Sequence, residues 1–229
     1  MSDRGPGPDP TTRDTGFTEL RTSRLVLRRF RPDDAASLAG YRSDPDVARY
    51  QGWNAPFSAE QARAFVGALA DGHPDTPGQW FQLAVDDDSG HIGDVGVFVD
   101  AADPRLARIG FTLARHAQGN GYATEAVTAL LDYLFGERGK HRVTAECDTR
   151  NHRSAALLER VGMRREAHHL AASWWKGEWT DEYAYALLAR EWAARRRLRP
   201  LSDQHSAPAG EPLDQHSAPA DTWSGRHKR

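Results

Sequence analysis

A glycine-rich turn, RHAQGNGYATEA at residues 115–126, constrains the fold of this chain more than any other feature of its sequence. Apolar residues alternate at 109–113, as in a strand, and recur with helical spacing at 123–134. The N–H groups and the positive dipole end of a helix start attract anions, and Gly119 and Gly121 carry no side chain that would shield the main chain from phosphate oxygens. The turn therefore predicts a ligand that bears phosphate.

Two common nucleotide-binding motifs are excluded by the residues of this turn. A dinucleotide fingerprint needs a third glycine at a fixed spacing, and a P-loop needs a lysine before serine or threonine. The turn has neither. A phosphate site of another kind is therefore expected.

The predicted elements indicate an α/β fold. Strands are predicted at 25–30, 80–85, 92–99, 106–113, 142–148 and 181–189, and helices after 31–34, after 58–61, at 122–135 (capped by Gly136) and at 152–161. Most neighbouring strands are joined by short turns, and one strand–helix–strand crossover follows the glycine-rich turn. This order predicts a mixed, mostly antiparallel sheet flanked by helices.

Both ends of the chain are predicted to lie outside the folded domain, which spans 17–197. Residues 1–16 are rich in Pro, Gly and Asp and predict a disordered leader. Residues 198–229 contain DQHSAPA twice and predict a disordered tail with a short tandem repeat. The arginine-rich run at 190–199 is interpreted as the solvated exit from the last strand.

Charge and composition give no reason to expect nucleic acid or membrane as a partner. The formal net charge is −2, and no apolar segment is long enough to cross a bilayer. Cys147 is the only cysteine, so an intramolecular disulfide is excluded, and no histidines stand at metal-ligand spacing. We expect a cytoplasmic protein without a metal. A homodimer is compatible with the sequence, which carries no signal for oligomeric state.

Several motifs resemble those of a known family. Gln118, Gly121 and Ala123 match the Gln/Arg-x-x-Gly-x-Gly/Ala loop of the GNAT superfamily of acetyltransferases. Further segments are similar to motifs of its RimJ/RimL-type branch, in the same order: LRTSRLVLR at 20–28, NHRS at 151–154, LERVGMRRE at 158–166 and WTD at 179–181. The resemblance covers roughly 17–192. It implies the GNAT fold, an acyl-CoA N-acyltransferase domain at 17–197, and acetyl-CoA as co-substrate.

The resemblance also implies which residues bind acetyl-CoA. The pyrophosphate would be held by main-chain amides of Gln118, Gly119, Asn120, Gly121, Tyr122, Ala123 and Thr124. The pantetheine arm would pair with the main chain of Phe111, Thr112 and Leu113 like an added strand. Asn151 would bond near the thiol end. Asparagine is also among the best helix caps, and the two roles are compatible.

Acetyl transfer to an amine calls for a base and for a donor to the leaving thiolate. Ser154 matches the serine that the branch is thought to use for the thiolate, although a serine in a first helical turn is equally a structural choice. Two positions depart from the branch, because Ser173 stands where some members carry glutamate and Arg108 where an acidic residue is frequent. Glu146 is the best substitute base by position, and Asp94 is another candidate. Either carboxylate is also compatible with a surface role.

The leading hypothesis is an N-acetyltransferase that moves the acetyl group from acetyl-CoA to a primary amine by direct transfer in a ternary complex. The acceptor is a protein N-terminal amine or a small-molecule amine. Deprotonation at pH 7 costs about 1.4 kcal/mol for an α-amine and about 4–5 kcal/mol for a lysine, so a weak base favours α-amines. The alternatives are a non-catalytic acyl-CoA-binding module and transfer of another acyl group, such as succinyl.

Overall fold

The computed structural model of the chain describes residues 17–69 and 72–198. Within them the chain forms a sheet of eight strands with helices on both faces. The predicted leader at 1–16 and nearly all of the predicted tail lie outside the described residues, so their disorder stays a prediction.

The strands are Glu19–Arg21 (β1), Val26–Arg28 (β2), Trp80–Asp87 (β3), Gly90–Val99 (β4), Leu106–Leu113 (β5), Arg142–Asp148 (β6), Arg164–Trp175 (β7) and Glu178–Leu188 (β8). The α-helices are Ala35–Arg42 (α1), Pro45–Ala48 (α2), Ala59–Ala68 (α3), Tyr122–Asp132 (α4), His152–Val161 (α5) and Ala189–Leu198 (α6). Short 3₁₀ turns lie at Pro32–Asp34 and Arg115–Ala117, and a π-helical turn, Tyr133–Glu137, extends α4.

The strand order is β1-β2-β3-β4-β5-β6-β8-β7. The β5–β6 pair is parallel and all other pairs are antiparallel. This arrangement confirms the predicted mixed, mostly antiparallel sheet. The link between β5 and β6, which contains α4, is long enough to return the chain for a parallel pairing.

The parallel pair is short, and beyond it β5 and β6 separate. Only Leu106–Arg108 pairs with Arg142–Thr144, whereas β6 pairs with β8 along its whole length. Residues 109–113 of β5 and 145–148 of β6 therefore border an opening in the sheet, which we call the fork. The fork places unpaired main chain in the middle of the fold.

The main core lies between the sheet and helices α4 and α5. Ile109 of β5 and Ala145 of β6 pack there with Leu130, Leu131 and Leu158. Because side chains alternate along a strand, the residues next to them in sequence face the opposite side of the sheet. A smaller core under α1 and α3 covers part of that opposite face.

The predicted cap of α4 is wrong. The α-helical part ends at Asp132, and Gly136 lies inside the π-helical turn that follows rather than after the helix. The main-chain N–H of Arg138 donates to the carbonyl of Tyr133 at 3.0 Å. This longer hydrogen-bonded ring accommodates one more residue than an α-helical turn does.

The interpretation of the arginine-rich run as the solvated exit from the last strand is also wrong for its described residues, 190–198, which are helical. The last strand ends at Leu188, and α6 begins with the next residue. The Glu191 carboxylate accepts a hydrogen bond from the Leu188 N–H at 3.0 Å. Trp192 is buried and donates from Nε1 to Asp132 at 3.0 Å, which docks α6 on the end of α4. The second contact joins residues 60 positions apart, which local spacing in the sequence does not reveal.

Candidate functional site

The predicted phosphate turn has a left-handed backbone and leads directly into α4. Gly119 and Gly121 have φ angles of +85° and +81°. Gly121 is the N-cap residue of α4, and no side chain among the described residues caps this helix. The first N–H groups of α4 therefore keep their bonding capacity, which is the arrangement that favours a bound phosphate.

A segment about 100 residues earlier in the chain anchors this turn. The Glu125 carboxylate accepts hydrogen bonds from the hydroxyls of Thr22 (2.6 Å) and Ser23 (3.1 Å) and from Nε of Arg24 (2.7 Å). Arg24 also donates from Nη1 to the Asn120 carbonyl at 3.0 Å. Burial alone would raise the pKa of Glu125, but the bonds from Thr22 and Arg24 prevail and lower it. The contact holds a guanidinium beside the anion site, and sequence reasoning missed it.

Gln118 links the turn to β5 and α5. Its side-chain amide donates to the Leu113 carbonyl at 3.0 Å, and its side-chain oxygen accepts from Arg153 at 2.8 Å. Arg160 lies about two turns after Arg153 in α5 and donates to the Thr124 hydroxyl at 3.2 Å. The start of α4, the end of β5 and the face of α5 are therefore fixed relative to one another.

The main chain of β5 offers hydrogen-bonding groups at the fork. The N–H of Ala114 donates to Ile92 of β4 at 2.8 Å. Because bonding direction alternates along an antiparallel strand, Thr112 also directs its main chain towards β4, and Phe111 and Leu113 direct theirs towards the fork. The Phe111 carbonyl accepts only a long contact of 3.5 Å from Gln51. A strand-like ligand at this edge would bond to Phe111 and Leu113, while Thr112 lies between them with its side chain buried.

A groove of about 2260 Å³ connects the turn with the fork. It is lined by the predicted residues Phe111–Leu113, by most of the turn, and by Asn151 and Ser154. Arginines 24, 115, 153 and 160 also line it. This excess of guanidinium groups along a groove suits a ligand with several phosphates.

Asn151 and Ser154 lie together at the start of α5. Asn151 is the N-cap residue, and its side-chain oxygen accepts a hydrogen bond from the Ser154 N–H at 3.2 Å. The helix-cap interpretation of Asn151 is thereby confirmed. The Ser154 hydroxyl is half-buried and borders the groove, where it is available to a ligand.

Glu146 lies on the opposite face of the sheet from the groove. It follows Ala145, whose side chain is in the main core, and its own side chain is 47% exposed. Its carboxylate accepts one hydrogen bond from Arg108 of β5 at 3.3 Å. Since Arg108 is the last β5 residue paired with β6, the Arg108–Glu146 pair stands at the closed end of the fork.

The second candidate base, Asp94, is enclosed by α1. Its carboxylate accepts a short hydrogen bond from the hydroxyl of Tyr41 and lies 3.8 Å from the Arg42 guanidinium. Burial raises the pKa of Asp94, and the nearby Arg42 only partly opposes this effect. With its side chain 6% exposed, Asp94 contributes to the core between α1 and the sheet and has no open route to an acceptor.

A further carboxylate, which sequence reasoning missed, lies beside Ser173. The Ser173 hydroxyl of β7 donates to Glu182 of β8 at 2.8 Å. Glu182 is paired in register with Asp148 of β6 and therefore shares a face with Glu146. The position where some RimJ/RimL-type proteins carry glutamate thus has a carboxylate nearby, supplied by the neighbouring strand. Only the β7–β8 pairing could have identified it.

Replacement of Gly121 by alanine should weaken both the fold and CoA binding. An L-residue in the left-handed region costs about 1–2 kcal/mol, and a Cβ at this position would contact Nη2 of Arg24 at 3.4 Å. We expect a fall of that size in the free energy of unfolding and a weaker CoA titration. Gly136→Ala is the matched control, because no atom lies within 4 Å of its Cβ position and its φ is not left-handed. Unchanged CoA affinity in Gly121→Ala would contradict the assignment of the turn.

No helix in 17–69 or 72–198 is both long and apolar enough to span a membrane. In the same part of the chain, no group of three or more His, Cys, Asp or Glu side chains is arranged to hold a metal ion.

Comparison with known proteins gives concordant matches. The family model for the acetyltransferase (GNAT) domain matches residues 24–164. The uncharacterized N-acetyltransferase YnaD of Bacillus subtilis (strain 168) is 33% identical over 173 residues, which are 76% of this chain and 98% of that protein. The [ribosomal protein uS5]-alanine N-acetyltransferase of Escherichia coli (strain K12) is 28% identical over 185 residues, covering 77% of this chain and 94% of the relative.

A solved structure agrees with these relatives. The crystal structure of an acetyltransferase (GNAT family) from Bacillus anthracis superposes with a TM-score of 0.69 at 29% identity. The match covers 76% of this chain and all of that one.

Proposed function

The chain belongs to the GNAT acetyltransferase family and is of the RimJ/RimL type, and on that premise we propose that it transfers the acetyl group of acetyl-CoA directly to a primary amine. One observation carries the proposal. The groove on the α4–α5 face borders the fork at Phe111–Leu113, and the Arg108–Glu146 pair borders its closed end on the other face. Donor and acceptor can therefore approach the fork from opposite sides of the sheet.

The donor side is supported by the fit of the groove to a CoA molecule. Main-chain N–H groups from Gln118 to Thr124 bind the pyrophosphate, with the glycine φ angles leaving the turn open. Main-chain groups of Phe111 and Leu113 bond to the amides of the pantetheine arm. Bound acetyl-CoA supplies an activated acyl group whose thiol leaves readily.

Glu146 at the fork and Ser154 at the start of α5 have separate roles in the reaction. Glu146 accepts the proton of the incoming ammonium, directly or through water, so that the nitrogen lone pair can form the new C–N bond. As the C–S bond breaks, the Ser154 hydroxyl donates a hydrogen bond to the developing thiolate, which takes up the second proton that the amine nitrogen loses, so that CoA leaves as the thiol. Asn151 positions Ser154 by capping the same helical turn.

The proposed class of acceptor follows from the pKa of amines and from the names of the relatives. An α-amine needs less help from a base than a lysine side chain does. The E. coli relative is named for acetylation of a ribosomal-protein alanine, which supports an α-amine of a protein N-terminus or of a small molecule. We keep the predictions of a cytoplasmic location and of acetyl rather than succinyl transfer as parts of this proposal.

The test is CoA release from acetyl-CoA across a panel of peptide N-termini, small α-amines and ε-amines. Ser154→Ala should lower kcat about 10- to 100-fold, because a hydrogen bond to a charged group is lost at the departing sulfur. Ser89→Ala, in the exposed turn between β3 and β4, is the matched control and should retain full activity. Tight CoA binding without turnover of any amine would contradict the proposal and favour a non-catalytic binding module.

A further inference from the structure

The face of the sheet opposite the groove carries a row of large side chains next to the fork. Trp80 of β3, Phe98 of β4 and Arg108 of β5 are register partners on adjacent strands, so they lie side by side. The Arg108 guanidinium stands 5.6 Å from the centre of the Trp80 ring and 5.2 Å from that of Phe98. We call Trp80, Phe98, Arg108 and Glu146 the fork patch.

Few of the N–H donors of the Arg108 guanidinium bond to other described residues. Among the described residues, its one hydrogen bond goes to Glu146 at 3.3 Å, and its buried Nε has no hydrogen-bond partner there. A guanidinium has five N–H donors in one plane, an arrangement that matches a carboxylate. The nearby Trp80 and Phe98 rings favour a cation at this position, and the Arg108 side chain is 41% exposed, so a ligand can reach it.

Small residues border the fork patch. In the next row across the sheet, Gly96 and Gly110 are register partners. The Gln82 side chain covers Gly96, where a Cβ would come within 2.6 Å of it, and the Trp80 ring lies over Gly110, where a Cβ would come within 3.7 Å of it. On the far side of the fork, the small residue Ala184 is paired with Glu146. The side chains of Arg108 and Glu146 are both partly exposed, so a ligand can reach them from this face.

An acceptor that approaches the fork from this face of the sheet passes the fork patch. The groove on the α4–α5 face is the path of the donor, so an amine that approaches the same point without displacing the donor comes from the other face. Arg108 and Glu146 are the charged pair at the closed end of the fork on that face. The Glu146 carboxylate can bind the ammonium of the acceptor, and the Arg108 guanidinium then contacts the group next to the amine.

We propose that the acceptor carries a carboxylate, or a chemically similar oxyanion, within two or three bonds of its amine, and that Arg108 selects it. This inference rests on the proposed function. The short separation between Arg108 and Glu146 sets the spacing, since an ammonium on one and an anion on the other must be close together. A free α-amino acid satisfies this spacing, whereas an amide of the same amino acid, like a peptide N-terminus, offers no anion there.

The test compares pairs of probes that differ only in the carboxylate: glycine with glycinamide, and phenylalanine with phenylalaninamide. Their binding is measured by calorimetry on the full-length protein, with and without CoA, so that no turnover is required. We expect each acid to bind about 10-fold or more tightly than its amide, as for a charge-assisted bidentate contact. Arg108→Gln should bring the ratio close to one, and Arg108→Lys should restore part of it. CoA affinity and melting temperature of both variants check that the fold is retained.

The outcomes separate this inference from the proposed function. Equal binding of acid and amide, no measurable binding of either acid, or an unchanged preference in Arg108→Gln would overturn the role of Arg108, even if amines are acetylated. A carboxylate preference that depends on Arg108, without CoA release from any amine, would retain the binding assignment and overturn the acetyltransferase proposal.

Discussion

Replacement of Glu146 by glutamine is expected to lower kcat by about 100-fold or more at neutral pH, the usual contribution of a positioned general base. Glutamine keeps the size of the side chain and an oxygen that can accept from Arg108, but it cannot take a proton. The measurement is the rate of CoA release with saturating acetyl-CoA and an α-amine acceptor.

The pH dependence distinguishes a base from a merely structural residue. Above the pKa of the acceptor the amine is already neutral, so the ratio of wild-type to Glu146→Gln rates should shrink as pH rises through that pKa. A structural role would leave the ratio constant. Glu60→Gln, in the exposed first turn of α3, is the control and should behave as wild type.

Glu182 is the competing candidate for the base. It shares the sheet face of Glu146 and is half-buried beside Ser173. If Glu182→Gln produces the pH-dependent loss and Glu146→Gln does not, the base is Glu182, and the assignment of Glu146 is wrong.

Replacement of Asp34 by alanine is expected to lower the free energy of unfolding by about 3 kcal/mol, because it breaks a buried ion pair on one side. Arg28 of β2 donates to the two carboxylate oxygens of Asp34 at 2.7 and 2.8 Å, and both side chains are almost fully buried. Asp86 of β3 binds the same guanidinium at 2.6 Å and compensates only in part. Denaturant unfolding followed by tryptophan fluorescence measures the loss.

The same carboxylate should make stability depend on acid pH. Burial alone would raise the pKa of Asp34, but the bonds from Arg28 and from the Arg31 main chain prevail and lower it. A lowered pKa in the folded state means that this stabilisation is present above the unfolded pKa of about 3.9 and is lost as pH falls through the folded pKa. The wild type should lose this contribution below about pH 4, whereas Asp34→Ala should not.

The exposed neighbour Asp33 supplies the control. Asp33→Ala should change the free energy of unfolding by no more than about 0.5 kcal/mol, as expected for a surface position. Equal effects of the two substitutions would show that the Arg28 pair is not a major source of stability.

The parts of the fold that depend on local spacing could be predicted. The alternation in 109–113 and the helical repeat after it indicate β5 and α4, and both are present. The glycines at 119 and 121 have left-handed φ angles, which glycine adopts without a steric penalty. Asn151 before a helical repeat predicts a cap, and it caps α5. In each case the residues that determine the local structure lie within a few positions of it in the sequence.

Contacts between distant segments could not be predicted in this way. Thr22 and Arg24 bind Glu125 about 100 residues away, and no spacing in the sequence encodes that contact. Burial of Trp192 against α4 turned a predicted exit into a helix, because tertiary packing outweighs local preference.

By itself, the sequence determined the turn, the strand before it and the helix after it, and with its other motifs it indicated the family. Only the tertiary structure decided that β5 and β6 separate after Arg108, that Glu146 faces away from the groove beside that arginine, and that Glu182 accompanies Ser173. The physical reason is that a turn or a cap is stabilised by its own few residues. A fork and its charges arise only when strands far apart in sequence pair side by side.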